Sequence, residues 1–129
     1  MDKKFLPSSD RLYLEEKLDS YKEVNDGARN GLIITDFKVP EGKYSVSYSS
    51  LMIIIPQGYA DVPPDMFYFS PALTLMSSKS YPAQADVFES IFGQNWQRWS
   101  RHADQSAWRG GVDGIHSYIQ RVVKALNVA

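Results

Sequence analysis

The stretch from Tyr44 to Phe69 limits the fold more than any other part of the chain. Tyr44, Val46 and Tyr48 alternate with smaller or polar residues, and Leu51 to Ile55 is then continuously apolar. A period of two marks a half-buried strand, and a short unbroken apolar run marks a buried one. Tyr44 to Ile55 is therefore expected to be a strand that passes from a half-exposed to a buried position. Pro56-Gln57-Gly58-Tyr59 ends it, because these residues favour turns and proline has no ladder donor. Pro63-Pro64 precedes a further strand, Met66 to Phe69, which Pro71 stops.

The flanking segments extend this into a meander. Gly31 to Phe37 carries Leu32-Ile33-Ile34-Thr35, rich in β-branched residues, and Pro40-Glu41-Gly42-Lys43 is a turn signal. Upstream, Ser9 to Tyr21 is expected to be helical. Ser8, Ser9 or Asp10 would cap it, Leu12, Leu14 and Leu18 would form its apolar stripe, and Phe5 and Leu6 would fold back onto that stripe. Leu73 to Trp99 has no clean period, and Val87 to Phe92 suits either a helical turn or a strand. The last element is a helix capped by Asp113, with Ile115, Tyr118, Ile119, Val122, Val123 and Leu126 at spacings of three and four. The expected class is α+β, an antiparallel meander flanked by an N-terminal and a C-terminal helix, in one domain over residues 1–129.

Charge and composition remove several function classes. Fourteen basic residues against fifteen acidic give a net charge of -1, which speaks against a broad nucleic-acid footprint. Arg98, Arg101 and Arg109 nonetheless cluster in sequence. The absence of cysteine rules out disulfides, zinc-thiolate sites and a cysteine nucleophile. Two histidines without an acidic pair at ligand spacing give no metal motif, and no cofactor is expected. The longest apolar run is far shorter than a membrane helix of about 20 residues, and no signal-peptide stretch follows Met1, so a soluble cytoplasmic protein is expected. Trp96, Trp99 and Trp108 are expected in the core, and His116 in a structural role.

Three motifs in succession resemble the ubiquitin-conjugating enzyme superfamily, and in particular its prokaryotic branch. The first is Ile53-Ile54-Ile55-Pro56-Gln57-Gly58-Tyr59-Ala60-Asp61-Val62-Pro63-Pro64-Asp65-Met66-Phe67-Tyr68-Phe69: a buried strand, a turn at tyrosine, a proline pair and another strand. Ala60 stands where that family usually has proline. The second is Ser100 followed eight residues later by Trp108, then the turn Arg109-Gly110-Gly111 and a helix. In the family a catalytic cysteine occupies the first position. The third, Trp96-Gln97-Arg98-Trp99-Ser100-Arg101-His102, is similar to the prokaryotic signature with a histidine just after the active position. The family's His-Pro-Asn motif is replaced by Phe92-Gly93-Gln94-Asn95, which leaves Asn95 or Gln94 for the oxyanion role.

The resemblance implies acyl transfer. An ATP-dependent activating enzyme would deliver the C-terminal carbonyl of a ubiquitin-like protein to Ser100, and a nucleophile on a target protein would then take it. A hydroxyl needs a neighbouring base for this, unlike a thiol. In an extended segment Ser100, His102 and Asp104 share one side, as nucleophile, base and orienter. The intermediate would be an oxyester, or a thioester if Ser100 is an engineered replacement for a native cysteine. Arg98, Arg101 and Arg109 would receive the modifier's tail or an acidic partner surface, with Trp108 as a further binding residue. The alternative is an inactive binding or scaffold module of the same fold. A self-sufficient Ser-His-Asp hydrolase is disfavoured, because no Gly-x-Ser-x-Gly elbow surrounds Ser100. The resemblance further implies a bacterial conjugation system with an isopeptidase, of the kind serving antiviral defence.

Overall fold

The computed structural model describes residues 5–17, 20–101 and 108–129. Helix α1 (Ser8–Lys17) is followed by strands β1 (Tyr21–Asn25), β2 (Asn30–Lys38), β3 (Tyr48–Ile55), β4 (Phe67–Ser70), β5 (Val87–Ile91) and β6 (Gln94–Trp99), and then by helix α2 (Ile115–Val128). The strands form one antiparallel sheet in the order β1-β2-β3-β4-β6-β5. The fold is thus the α+β arrangement that the sequence pattern predicts.

Alternation along the strands sorts apolar side chains onto two faces. Leu32, Ile34, Leu51, Ile53, Ile55, Phe67, Phe69 and Trp99 face the helices, where they meet Leu14, Ile115, Tyr118, Val122 and Leu126. Ile33, Met52, Tyr68, Ile91 and Trp96 occupy the other face. The continuous apolar run Leu51 to Ile55 follows from this, since β3 buries both its sides. A bulge between Ile34 and Phe37, with Asp36 at φ 54°, returns Phe37 to the helical side.

The second face is closed by the sheet's own curl. Phe92 and Gly93 form the two-residue turn between β5 and β6, with φ 52° and 73°. In a flat sheet this turn would lie far from β2. Instead the Phe92 ring occupies the space a Cβ on Gly31 would need, and Arg29 lies 5.9 Å from the ring centroid. A bulky residue in the left-handed region costs about 1 kcal/mol or more. Burying the ring against Gly31 and Val24 offsets that cost.

Four expectations change. The helix expected over Ser9 to Tyr21 stops at Lys17, and Tyr21 opens β1, whose short alternation merged with the helical pattern. On α1 Leu14 is buried but Leu12 is exposed, because residues two apart on a helix face different directions; Leu18 lies outside the described residues. Tyr44 makes only an isolated bridge to Leu75, and β3 begins at Tyr48. Val123 is exposed although its neighbours on α2 are buried.

The cap of α2 is also different. Asp113 accepts the Arg109 N–H (2.8 Å) in the preceding turn. The helix begins after Gly114, and the buried carboxylate of Asp10, from α1, accepts the Ile115 N–H (3.1 Å) and the Tyr59 hydroxyl (2.6 Å). A Cβ at Gly114 would lie 2.6 Å from Asp10 Oδ1, so only glycine allows this approach. Replacing Asp10 by alanine strips the α2 cap and leaves a partly buried hydroxyl unpaired. Urea denaturation of Asp10→Ala is expected to show a loss of about 2–3 kcal/mol.

Glu23 on β1 does similar work at the N-terminus. Burial opposes its ionisation, but N–H groups of Leu6 and Phe5 and the Arg11 guanidinium outweigh that and hold its carboxyl below 4.5. A carboxyl depressed in the folded state contributes stability above its unfolded value, and that stability is lost as pH falls through its folded value. Thermal melts are expected to fall as pH drops below 4.5, and Glu23→Gln is expected to flatten that slope while lowering stability at neutral pH.

Candidate functional site

Ser100 stands at the corner where β6 leaves the sheet. Phe67 pairs with Trp99 and Tyr68 with Arg98, so the antiparallel register places Ser100 opposite Met66. The Ser100 N–H bonds the Gln84 carbonyl (3.0 Å), and the Arg101 N–H bonds back to the Trp99 carbonyl (3.1 Å). That is a three-residue turn centred on Ser100, of the kind that ends strands. Its side chain is half-buried, and Oγ lies 3.7 Å from the Met66 sulfur. A thioether is a weak acceptor and takes no proton at neutral pH. Among the described residues no other side-chain bond to Ser100 Oγ occurs.

Gln97 fixes the segment that reaches Ser100. Its side chain is fully buried on the helical side. Oε1 accepts from Leu73 N–H (2.8 Å) and Trp99 Nε1 (3.0 Å), while Nε2 donates to the carbonyls of Leu73 (3.0 Å) and Ala85 (2.8 Å). One amide thereby uses all its capacity. It ties residues 73 and 85, at either end of the β4–β5 connection, to the strand that presents Ser100.

A second anchor comes from the loop between β3 and β4. Trp108 is buried, its Nε1 donates to the Ala60 carbonyl (2.8 Å), and its ring lies near Tyr59 and beneath Arg121 (5.5 Å). A Cβ at Gly110 would collide with Asp61 of the same loop. Ser100 meets this loop through Met66, and Trp108 meets it through Ala60. Burial and the neighbouring Asp65 charge, against the opposing Arg121 charge, leave the Tyr118 hydroxyl pushed up, and it donates to the Asp65 carbonyl (3.0 Å).

The remaining expected site residues are distributed as follows. Arg98 points to the same side as Ser100 and pairs with Glu89 (3.5 Å), with its Nε buried and unpartnered. Tyr68 beside it is pushed up to about 12 by burial and the Glu89 carboxylate, against the opposing Arg98 charge. Arg101 turns to the helical side, where its guanidinium lies 5.0 Å from the Trp99 ring centroid and donates to the Ser100 carbonyl (3.3 Å). Burial lowers its pKa, opposed by Tyr44. Asn95 is exposed near the start of β6, paired with Ser90, so about 17 Å of extended strand separates it from Ser100. His102 and Asp104 lie outside the described residues. His116 is exposed beside Tyr13 on α2.

Sequence reasoning missed the roles of Asp10 at α2, of Gln97 in the core and of Met66 against Ser100. Only Gln97 carried a signal: it is two residues from Trp99 in a strand, so it shares that buried face and needs internal partners. Gln97→Leu keeps the volume but orphans two backbone carbonyls, the Leu73 N–H and the Trp99 N–H. It is expected to cost about 3 kcal/mol or more in urea denaturation, and to raise hydrogen exchange at Ser100 N–H.

Near the site a groove of about 330 Å³ opens between β3, β4 and the loop joining them, with Met66 in its wall. Among the described residues no group of three histidine, aspartate or glutamate side chains could hold a metal ion, and no helix is long and apolar enough to cross a membrane.

A family model described as Prokaryotic E2 family E matches residues 6–129. No curated protein and no solved structure matches the chain.

Proposed function

Because the chain belongs to Prokaryotic E2 family E, a family of ubiquitin-conjugating-like proteins that work with a ubiquitin-like protein and its activating enzyme, we propose that Ser100 is the acceptor of the modifier's C-terminal carbonyl. The observation that carries this reading is the placement of Ser100 at a tight corner, half-exposed, facing Met66 at the groove. The step is transfer of the acyl group from the activating enzyme's thioester to Oγ. The C–O bond forms, the C–S bond breaks, and the hydroxyl proton goes to a base while the thiolate leaves. A nucleophile on a target then displaces Oγ. His102, two residues on from Ser100, is the base in this reading, with Asp104 orienting it. The Arg101 guanidinium, stacked on Trp99 and bonded to the Ser100 carbonyl, stiffens the corner and offers positive charge to an acidic partner surface.

A second reading, a binding module that holds the modifier without bonding to it, is favoured by one observation. The contact of Ser100 Oγ in the described structure is a thioether and not a base.

Incubation with the cognate modifier, activating enzyme, ATP and magnesium separates the two. The expected product by intact mass spectrometry is a one-to-one adduct that survives thiols, is cleaved by mild base and is absent in Ser100→Ala. Ser100→Cys is expected to give a thiol-labile adduct at a rate at least tenfold higher, since a thiol ionises far more readily. Modifier bound without any adduct, in both the native chain and Ser100→Cys, would establish the binding module.

A further inference from the structure

We propose that the free edge of β5 is the interaction surface for a second copy of this chain, with the two β5 strands pairing antiparallel about a two-fold axis at Phe88. The sheet has two outer edges, β1 and β5. A bare edge offers unpaired N–H and C=O groups to any extended chain, and proteins guard it with lysine, proline or a bulge. On β1 an exposed Lys22 does this. β5 reads Val87-Phe88-Glu89-Ser90-Ile91, runs in unbroken register with β6, and has none of these guards. Val87 (42%) and Phe88 (38%) are instead exposed at adjacent positions, and so on opposite faces of the strand. The Tyr81 ring, also exposed, packs edge-on against Phe88 with centroids 5.6 Å apart.

The turn between β5 and β6 fixes which groups point outward. Phe92-Gly93 is a two-residue turn, so the pair it joins, Ile91 and Gln94, exchanges both backbone bonds. Alternation then turns the N–H and C=O of Ile91, Glu89 and Val87 toward β6 and those of Phe88 and Ser90 toward the free edge. Among the described residues no other segment bonds to them.

Two-fold pairing of these outward groups has to centre on a single residue. Centred on Glu89, it would set two carboxylates directly opposite each other, which is destabilising. Centred on Phe88, the two Phe88 residues exchange both backbone bonds, and each Ser90 comes opposite the partner's Asp86. The Phe88 rings then meet between the two Tyr81 rings, and aromatic pairs across strands are favourable. Each Val87 comes opposite the partner's Glu89. Arg98 lies beside Val87 on the same face, its Nε buried and unpartnered and its own Glu89 at 3.5 Å. The partner's Glu89 thus approaches a guanidinium that one carboxylate fills only in part, so the charges of the two copies are complementary. At their present exposures the four rings would bury roughly 300 Å². With Val87 and the paired backbone added, the interface stays in the class below about 1,200 Å², which belongs to weak pairs. Association is therefore expected at micromolar concentration. Only β5 separates this edge from β6 and the Ser100 corner, yet the pairing requires no chemistry at Ser100.

Sedimentation equilibrium of the full chain over micromolar concentrations is expected to show the mass rising from the 14.6 kDa of one chain toward twice that value. Over the same range, hydrogen exchange at the amides of Phe88 and Ser90 is expected to slow at least tenfold. Val87, Glu89 and Ile91, already bonded to β6, are expected to change less than twofold. Ser90 is exposed, so Ser90→Lys is expected to keep the melting temperature of the dilute chain and to weaken association at least tenfold. Because the chain has no cysteine, single cysteines report the register. Mild oxidation is expected to join two copies of Phe88→Cys far more readily than two copies of Glu89→Cys. A single-chain mass at every concentration, a dimer that Ser90→Lys leaves intact, or preferential joining through Glu89→Cys would overturn the proposal. So would protection of the Phe88 and Ser90 amides that arises only when another protein is added, since the edge would then belong to a different partner.

Discussion

The Asp10 carboxylate ties together by hydrogen bonds three parts of the chain that also meet in the core. It sits on α1, it caps α2 through Ile115, and it fixes the β3–β4 loop through Tyr59. A buried carboxylate is stable only when its acceptors are filled, and here a helix N-terminus and a phenol fill them. Burial and the Asp10 carboxylate in turn push the Tyr59 hydroxyl well up, so it remains a donor. Trp108 then docks on Ala60, next in sequence to Tyr59, and the turn at Gly110 packs on Asp61. The loop that leads to Met66, the neighbour of Ser100 Oγ, is thus tied to α1 through Asp10.

The sheet contributes rigidity because both faces are used. Helices cover one face, and the Phe92 turn rolls across toward β2 to help close the other. Strands buried on both sides lose their free alternation and become fixed in register, since a slip by one residue would exchange the two apolar sets. Gln97 adds a polar lock within this core, replacing missing ladder bonds to Leu73 and Ala85. The outcome is a strand that delivers Ser100 to one defined point.

At that point the geometry separates two jobs. The corner at Ser100 exposes a hydroxyl beside an apolar groove, while the arginines on either side in sequence are sent to opposite faces. Arg98 is partly engaged by Glu89, and Arg101 is engaged by Trp99, so neither is a freely solvated charge. On the proposed reading, binding a modifier and activating a nucleophile would therefore fall to different groups.

The sequence by itself determined the class of the fold, its central strands and its last helix. Prolines and an unbroken apolar run leave a local signature, and so does a helix with a three-and-four period. Ser100 and Trp108 stood out only because their spacing resembles a motif of the ubiquitin-conjugating family. The sequence did not reveal β1, β6 or the exposed Val123, because a strand of five or six residues next to a turn carries too little period to be told from its neighbours. Only the tertiary structure decided that Asp10 caps a helix 105 residues away, that Gln97 substitutes for backbone partners, and that Met66 faces Ser100. Each of these is a contact between residues far apart in sequence. A hydrogen bond or a packing contact depends on distance in space, and the local pattern of residue types holds no record of which distant partner the fold will bring within reach.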